Sequence, residues 1–405
     1  MPAGFPFPDQ IFGALEAAPD ALAALARLLR RPRPAAASGV TVHAGDDAVE
    51  RVRGAWRTLE FSGARGTAFQ SLAMAEATCE AHRRKGETPL IVVVARRGKP
   101  VLLLPAVVGR ARGLRGVRFL GDPLIQYGDV LASPEATPED FAAAWREIAS
   151  PRHGHYIHLR KVRDDAALAP FLARHAHVVA THRAPYRCLE TATEHCSRRQ
   201  KEKARELRRR RRRLAEQGDV AFRILRGDHV AEALHAALAR KRAWLAGRGL
   251  SSAVVGDADW EHSLYKLSAA PRGAIRLAAA QLEVDGKPVA TEIAIEDGRR
   301  WCAFLGATDP AFARAGPGHV QMDETVAWCA AQGYAEYDLL APADDYKRAI
   351  ANNGVEVRDY AVATCLRGKA AVSALRAAPA VKDGLARLPV GPRAALGRWL
   401  RTLTH

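Results

Sequence analysis

Residues 275–310 read IRLAAAQLEVDGKPVATEIAIEDGRRWCAFLGATDP, which contains three β-rich runs. The first two runs meet at Asp285-Gly286, a dipeptide that supplies the positive φ angles needed by a tight hairpin. The third run closes on Phe304-Leu305-Gly306, and the glycine-rich ARAGPGH follows at residues 313–319. HVQMDETVAWCAAQ at residues 319–332 then has helical periodicity, and the β-rich AEYDLL comes after it. The stretch therefore predicts an α/β unit of hairpin, strand, loop, helix and strand.

The same order of elements occurs earlier in the chain. Three short motifs recur in the same order. Gly-Lys-Pro-Val occurs at 98–101 and again at 286–289, Phe-Leu-Gly at 119–121 and 304–306, and Ala-Trp at 144–145 and 327–328. The offset drifts only from 188 residues between Gly98 and Gly286 to 183 between Trp145 and Trp328. We therefore predict two tandem α/β domains with mixed sheets, at 41–190 and 218–366. A basic helix at 191–217 links them, and helical extensions occupy 1–40 and 367–405.

Start signals support both predicted helices of the repeat. Thr137-Pro138 with Asp140 has the pattern of a capping box with proline at the first helical position. Gly316-Pro317-Gly318 opens the second helix, whose apolar stripe consists of Met322, Val326 and Cys329.

The bulk composition sets the class of protein. The 405 residues are 48% hydrophobic and 26% charged, and no apolar run approaches membrane-spanning length. The first ten residues lack the features of a signal peptide, so a cytoplasmic protein is expected. The six cysteines show no metal-binding spacing and are expected to be reduced, and no metal is predicted.

The net charge of +17 is concentrated in one segment. Residues 198–213 hold eleven Lys or Arg against Glu202 and Glu206, including six consecutive arginines at 208–213. Six consecutive residues spread around a whole helical turn and have no aromatic residue among them, so the pattern argues against nucleic-acid binding. A solvated helix is expected, with some attraction for phosphates of a nucleotide, a lipid carrier or tRNA.

The loop at residues 313–319 follows a strand and opens a helix. Free backbone N–H groups and the helix dipole at such a place suit a pyrophosphate. Glycine and proline also open many helices for local reasons, so the loop by itself is equally compatible with simple capping.

The order of hairpin, strand, glycine-rich loop, helix and strand resembles the acetyl-CoA unit of the GNAT acyltransferases. More narrowly, the chain resembles the CelD/BcsL family of GNAT-like proteins associated with bacterial cellulose biosynthesis, and its layout is similar to that of the FemABX aminoacyltransferases. The resemblance covers residues 52–360 and is carried by segments 197–220, 241–249, 285–295, 307–340, 344–350 and, in the first copy, 121–131. It implies an N-acyltransferase that uses acetyl-CoA or another acyl-CoA as donor.

The loop departs from the GNAT pattern. Arg314-Ala315-Gly316-Pro317-Gly318 is one residue shorter than the usual Arg/Gln-x-x-Gly-x-Gly, and Pro317 has no N–H to offer a phosphate. An acyl-transfer fold is therefore a firmer expectation than acetyl-CoA itself.

The resemblance implies roles for particular residues in donor binding and catalysis. Backbone groups near Leu305 and Gly306 would polarise the thioester carbonyl, and the loop residues Arg314, Gly316 and Gly318 would hold the donor. Asp338 would position the amine or accept its proton, and otherwise it is an exposed carboxylate at a strand end. Three further residues have implied roles: Tyr346 would protonate the thiolate, Lys347 would hold a phosphate or developing charge, and His319 would act as a neutral base or face solvent.

Other residues are candidates for the acceptor side. Glu292 is a lone carboxylate among apolar residues of the predicted central strand, and it either binds the acceptor or lies at an exposed edge. Lys241 and Trp244 are further candidates on one predicted helix, where Trp244 has the alternative of a core residue. Tyr127 and Asp129 are otherwise explained by loop structure, and Asp309 by a turn cap.

Three function classes remain open on the sequence. The first is an acyl-CoA N-acyltransferase acting on a small-molecule amine, an amino sugar or an envelope precursor. The second is a FemABX-like transferase that uses aminoacyl-tRNA. The third is a catalytically silent partner of a membrane synthase, for which the stripe of Leu396, Trp399, Leu400 and Leu403 would lie on an anionic membrane, or else pack on its own domain.

Overall fold

The structure is a computed structural model that describes residues 38–190, 198–250, 252–270 and 275–386. Within these ranges both copies contribute to one continuous mixed sheet of 13 strands. Its order is β1-β2-β3-β4-β6-β13-β7-β12-β11-β10-β9-β8, and β5 pairs with β3 beside this path. The predicted α/β fold with a repeated unit is confirmed, and the sheets of the two copies are joined.

The first copy contributes seven strands and five helices among the described residues. The strands are β1 (Ser38–Ala44), β2 (Thr88–Arg96), β3 (Lys99–Ala111), β4 (Leu114–Phe119), β5 (Leu131–Ala132), β6 (Tyr156–Arg163) and β7 (His177–Cys188). The helices are α1 (Ala48–Arg51), α2 (Arg53–Phe61), α3 (Leu72–Arg84), α4 (Pro138–Ile148) and α5 (Ala169–His175). A short 3-10 helix, Ala68–Gln70, precedes α3.

The second copy repeats this order after the basic helix α6 (Arg198–Ala215). Its strands are β8 (Val220–Arg226), β9 (Arg276–Val284), β10 (Lys287–Glu296), β11 (Arg300–Thr308), β12 (Glu336–Asp338) and β13 (Asn353–Ala363). Its helices are α7 (Asp228–Ala246), α8 (Ala258–Ser268), α9 (Pro317–Ala331) and α10 (Asp345–Ile350), and α11 (Leu366–Ala386) follows β13. A 3-10 helix, Pro310–Ala315, leads into α9.

The local signals of the repeat are confirmed. Both residues of each hairpin turn have positive φ angles, as a turn of this kind requires. The angles are 50° at Arg97 and 77° at Gly98, and 48° at Asp285 and 72° at Gly286. Thr137 caps α4 in a capping box with Asp140, and Pro138 is its first residue. In α9 the side chains of Met322 and Val326 pack around the buried Cys329.

The last strands of the two copies are interlocked. β13 of the second copy lies between β6 and β7 of the first copy and pairs antiparallel with both. β7 in turn pairs antiparallel with β12 of the second copy. Each copy thus completes its sheet with a strand of the other, which removes the exposed sheet edges that two separate domains would present.

A buried polar cluster lies where the copies meet. Asp338, the last residue of β12, is fully buried, and the Tyr127 hydroxyl donates to its two carboxylate oxygens at 2.8 Å. Arg163 Nη1 donates to the same carboxylate at 3.3 Å, and the guanidinium lies 4.9 Å from the centre of the Tyr127 ring. The backbone N–H of Leu340 is a further donor, at 2.8 Å. The carboxylate therefore ties a strand end of one copy to two side chains of the other.

No helix in the described ranges is long and apolar enough to cross a membrane. The stripe of Leu396, Trp399, Leu400 and Leu403, for which membrane contact was considered, lies outside the described residues, as do residues 1–37.

The Asp338 cluster predicts a stability effect for Tyr127→Phe. The change removes a donor from a fully buried carboxylate, and such a loss costs about 1–3 kcal/mol of unfolding free energy. Urea unfolding measures this, with Tyr265→Phe as the control because that hydroxyl meets only an exposed His235. Equal stability of Tyr127→Phe and the control would contradict the role given to the cluster.

Candidate active site

An opening in the sheet marks the candidate site. β11 and β12 run parallel and pair over three positions only, from Arg300 with Glu336 to Cys302 with Asp338. Beyond Cys302 no described strand pairs with β11 on this side, so the edge of residues 303–308 faces a groove. The register of β10 and β11 shifts at Ile293 and Ala294, which leaves Phe304 as a bulge at the start of this free edge.

The groove has a volume of about 520 Å³. One wall is the free part of β11 with the facing residues of β10, and the opposite wall is the end of α7. The turn at Gly316 and the first turn of α9 close one end, and Leu339, Asp344 and Tyr346 form the other side. Within the described part of the chain, only elements of the second copy line the groove.

Glu292 of β10 lies at the floor of the groove and is 4% exposed. Its carboxylate accepts hydrogen bonds from Trp301 Nε1 at 2.8 Å and from the Tyr337 hydroxyl at 2.6 Å. Burial raises the pKa of Glu292, and the hydrogen bonds from Tyr337, Trp301 and Gln321 oppose that rise. Glu292 is thus a buried carboxylate that two hydrogen bonds fix in position, and its raised pKa makes it a stronger proton acceptor than an exposed glutamate.

The turn before α9 leaves the start of that helix uncapped. Gly316, the residue before the helix, has φ 64° and ψ 54°, a left-handed conformation that suits glycine. Pro317 is the first helical residue, and no side chain caps the helix. A ligand with negative charge at this end would therefore meet the positive end of the helix dipole without competition from a capping carboxylate.

Two aromatic side chains stand at the mouth of the groove. Trp244 of α7 is 44% exposed, and Tyr346 at the start of α10 is 45% exposed. Lys241 Nζ lies 4.4 Å and the Arg248 guanidinium carbon 4.3 Å from the centre of the Trp244 ring. Desolvation raises the pKa of Tyr346 to about 12, so its hydroxyl is protonated at neutral pH.

His319 lines the groove next to the Gly316 turn. Burial lowers the pKa of His319, and the positive charges of Arg210 and Lys203 lower it further. The imidazole is therefore neutral at pH 7.

Comparisons with known proteins agree with this geometry. Residues 201–348, from within α6 to α10, match the family model described as an acetyltransferase (GNAT) domain. The fold is a tandem GNAT fold. No curated protein sequence matches the chain.

Solved structures share the GNAT fold at low sequence identity. The chain is similar to the C-terminal domain (DUF2156) of a protein described as a lysylphosphatidylglycerol synthetase from Agrobacterium fabrum. That similarity has a TM-score of 0.51 at 12% identity and covers 82% of this chain and 96% of that one. A protein described as FemX has a TM-score of 0.51 at 10% identity over 77% of this chain and 95% of its own. A tandem GNAT protein from the clavulanic acid biosynthesis pathway has a TM-score of 0.45 at 11% identity, over 81% of this chain and 99% of its own.

The first GNAT copy has the equivalent opening filled. There β4 and β6 pair in parallel only at Gly116 with Tyr156 and Val117 with Ile157. The segment GDPLIQYGDVL at 121–131 then passes between the strand ends, where the Gly128 N–H donates to the Lys161 carbonyl at 3.0 Å. A side chain at 128 would lie 2.3 Å from the Phe119 ring, so only glycine fits. Leu124, Ile125 and Tyr127 of this plug are buried.

The helix start of the first GNAT copy is also occupied. The buried Asp140 carboxylate accepts hydrogen bonds from the backbone N–H and hydroxyl of Thr137, at 2.8 and 3.1 Å. Arg96 Nη2 donates to the same oxygen at 2.5 Å. A carboxylate of the protein therefore already stands where the second copy leaves the start of α9 open.

Most of the site residues predicted from the sequence line the groove. They are Lys241, Trp244, Glu292, Gly306, Gly316, Gly318, His319 and Tyr346. Leu305 is buried in β11 next to the bulge, and Arg314 lines a hollow beside the turn. Asp309 caps the 3-10 helix before the turn by accepting a hydrogen bond from the Ala311 N–H at 2.9 Å, which agrees with its interpretation as a turn cap. It also accepts a hydrogen bond from Arg240.

Four predicted residues lie elsewhere, which corrects their placement. Asp338 does not line the groove and is not exposed at a strand end, because its carboxylate is fully buried among donors. Tyr127 does not reach a cleft, because its hydroxyl binds Asp338. Asp129 is buried and accepts from the N–H groups of Val130, Ala167 and Leu168. Lys347 donates to the Leu340 carbonyl at 3.1 Å and does not line the groove.

The sequence analysis did not single out five polar groove residues: Arg240, Thr291, Thr308, Gln321 and Asp344. Arg240 could have been found, because it lies next to Lys241 and one helical turn before Trp244 on the same predicted helix. Gln321 had no comparable signal, because a polar residue in the first turns of a helix is ordinary.

We predict that Gly306→Val abolishes ligand binding in the groove and leaves the fold intact. Gly306 pairs with Glu292 across β10 and β11, so a side chain at 306 lies on the Glu292 face, in the groove. No atom lies within 4 Å of that position, so the fold should tolerate valine. Acetyl-CoA at about 100 times its dissociation constant should stabilise the natural protein by about 2.7 kcal/mol, and this gain should vanish in the variant.

Thermal unfolding with and without acetyl-CoA measures this effect. Gly54→Val is the matched control, because Gly54 in α2 also has open space around it and lies far from the groove in the first copy. An undiminished shift in Gly306→Val would mean that the ligand binds elsewhere.

Proposed function

We propose that the protein is an N-acyltransferase that transfers an acyl group from acyl-CoA to an amine at the groove of the second GNAT copy. One observation carries the proposal: the free strand edge of β11 lies in the same groove as the buried carboxylate of Glu292, which hydrogen bonds from Trp301 and Tyr337 fix in position. An extended acyl-thioester can pair with the strand edge, while Glu292 lies within the same groove.

The donor would lie along β11 with its acyl end near the Phe304 bulge. Backbone N–H groups of the unpaired edge, near Leu305 and Gly306, would bind the carbonyl oxygen. Such preorganised donors stabilise the oxyanion of the tetrahedral intermediate, and loss of one typically costs about 10²- to 10³-fold in rate. The uncapped start of α9 would receive the phosphates.

Glu292 would act as the general base. The amine nitrogen attacks the thioester carbonyl carbon, a C–N bond forms, and the excess proton of the amine passes to Glu292, directly or through water. As the intermediate collapses, the C–S bond breaks and the sulfur leaves as thiolate. Tyr346, which is protonated at neutral pH, would donate a proton to that sulfur.

The acceptor would enter past Trp244 and Tyr346. Lys241 and Arg248 on the Trp244 ring would favour an acceptor with an anionic group as well as an amine. The resemblance to the CelD/BcsL family supports an amino sugar or another envelope or exopolysaccharide precursor, in a bacterial pathway of the cellulose type.

One observation favours a second candidate, transfer from aminoacyl-tRNA. The exposed arginines of α6 lie beside the groove, and the fold is shared with the proteins described as FemX and lysylphosphatidylglycerol synthetase. Tight binding of aminoacyl-tRNA, together with no binding of any acyl-CoA, would favour it over the first proposal.

Glu292→Gln tests the proposed chemistry. The natural protein should release CoA thiol from acetyl-CoA or a longer acyl-CoA when given a panel of amino sugars, amino acids and other amines. The variant should lose about 10²- to 10⁴-fold of the turnover, because an amide cannot accept the proton. Glu283→Gln on the neighbouring strand β9 is the control, since Glu283 pairs with Arg223 outside the groove.

The pH profile should identify the base. Only the carboxylate form of Glu292 accepts a proton, so turnover should rise with pH through a pKa above its ordinary value of 4.5. That limb should disappear in Glu292→Gln. A folded variant with natural turnover and an unchanged pH profile would show that Glu292 is not the base, and no thiol release with any acyl-CoA would overturn the proposed function.

A further inference from the structure

The Gly316 turn has few backbone donors for a diphosphate. Pro317 has no N–H, and the His319 N–H donates to the Gly316 carbonyl at 3.2 Å. Two of the first three positions of α9 are therefore unable to bind phosphate through the backbone. If a phosphorylated donor binds here, side chains must supply the missing hydrogen bonds.

Arg210 of α6 lies directly against this turn. A Cβ atom at position 316 would lie only 1.8 Å from Arg210 Nη1. Because glycine has no Cβ, the guanidinium fits against the turn. Glu206 fixes the other edge of the group, with Arg210 Nε at 3.0 Å from its carboxylate. Among the six arginines at 208–213, Arg210 is the one that is half-buried, and the other five are exposed.

Arg240 of α7 lines the same groove as the Gly316 turn. Its Nη2 lies 3.3 Å from the carboxylate of Asp309, which caps the 3-10 helix leading to Gly316. Its Nη1 is buried and has no hydrogen-bond partner among the residues that the structure describes. A buried guanidinium N–H without an acceptor is costly, so this atom points to a ligand group that accepts hydrogen bonds.

We infer that Arg210 and Arg240 form a diphosphate clamp around the Gly316 turn, which replaces the backbone donors lost at Pro317. The ligand class is an acyl carrier joined through a diphosphate, as in CoA, and the clamp rests on the proposed acyl-CoA function. Each arginine keeps one carboxylate partner that orients it: Arg210 holds Nη1 against the turn, and Arg240 keeps Nη1 free for an acceptor. The basic helix α6 is then part of the donor site, in agreement with a GNAT domain match that begins at residue 201.

The carboxylates around the clamp leave room for an anion. Glu206 and Asp309 are already engaged by Arg210 and Arg240. Glu324, on the outer side of α9, is engaged by Arg211. Arg213 and Arg314 line a hollow next to the turn, and the Glu216 carboxylate in the same hollow is paired with Arg212, so positive charge is in excess on that side.

A ligand series tests the clamp without any mutation. The natural protein should bind CoA and 3′-dephospho-CoA with similar affinity, because both contain the diphosphate. It should bind 4′-phosphopantetheine more weakly, and pantetheine about 100-fold or more weakly than CoA, since charge-assisted hydrogen bonds are strong. Isothermal titration calorimetry gives each dissociation constant.

Arg210→Gln and Arg240→Gln should each weaken CoA binding by about 10- to 100-fold and leave pantetheine binding unchanged. Arg212→Gln is the matched control: it removes the same charge from the same helix, and Arg212 is 75% exposed and pairs with Glu216. Arg210→Lys and Arg240→Lys keep the charge and should retain part of the affinity, which separates lost binding from lost folding.

Each outcome decides between the two claims. Absence of CoA binding in the natural protein would overturn the acyl-CoA function itself. CoA binding with equal affinity for pantetheine, or CoA binding unaffected in both glutamine variants, would overturn the clamp alone. Arg210→Gln that lost affinity for tRNA but not for CoA would assign the arginine to a nucleic acid instead.

Discussion

The buried carboxylate of Asp338 holds together the features on which the site depends. It ends β12, accepts the Leu340 N–H at 2.8 Å and is bound by Tyr127 and Arg163 of the first copy. Leu340 has φ 61°, so the chain turns here, and β12 pairs with β11 no further. The same carboxylate therefore fastens the copies to each other and stands where the sheet opens. A group predicted for catalysis is placed to form the groove without entering it.

The two copies use one pattern for different purposes. In the first, a chain segment fills the opening and the Asp140 carboxylate caps the helix, so the copy is closed to a ligand at this place. In the second, the strand edge and the start of α9 are open, and Glu292 faces the space between them. The closed copy supplies Tyr127 and Arg163 to the open one. We regard the first copy as a support for the second, and its predicted role on the acceptor side stays a prediction.

Local signals in the sequence were sufficient for the repeat and for part of the site. Gly98 and Gly286 indicate their turns because glycine adopts positive φ angles more readily than other residues. Glu292 stands out because a carboxylate in the middle of an apolar strand is unusual. Asp338 could not be placed, because its partners Tyr127 and Arg163 are 211 and 175 residues away. Arg210 could not be told from its five neighbours, because only the packing of α6 on the Gly316 turn distinguishes it.

Hydrogen–deuterium exchange with and without acetyl-CoA tests the central claim most directly, because it locates the ligand along the whole chain. The account predicts that acetyl-CoA slows exchange in residues 303–308 of β11 and in residues 316–320 at the start of α9. It predicts no change in residues 121–131, which fill the opening of the first copy. Protection of 121–131, or of neither region when the ligand is saturating, would contradict a single acyl-CoA site in the second copy.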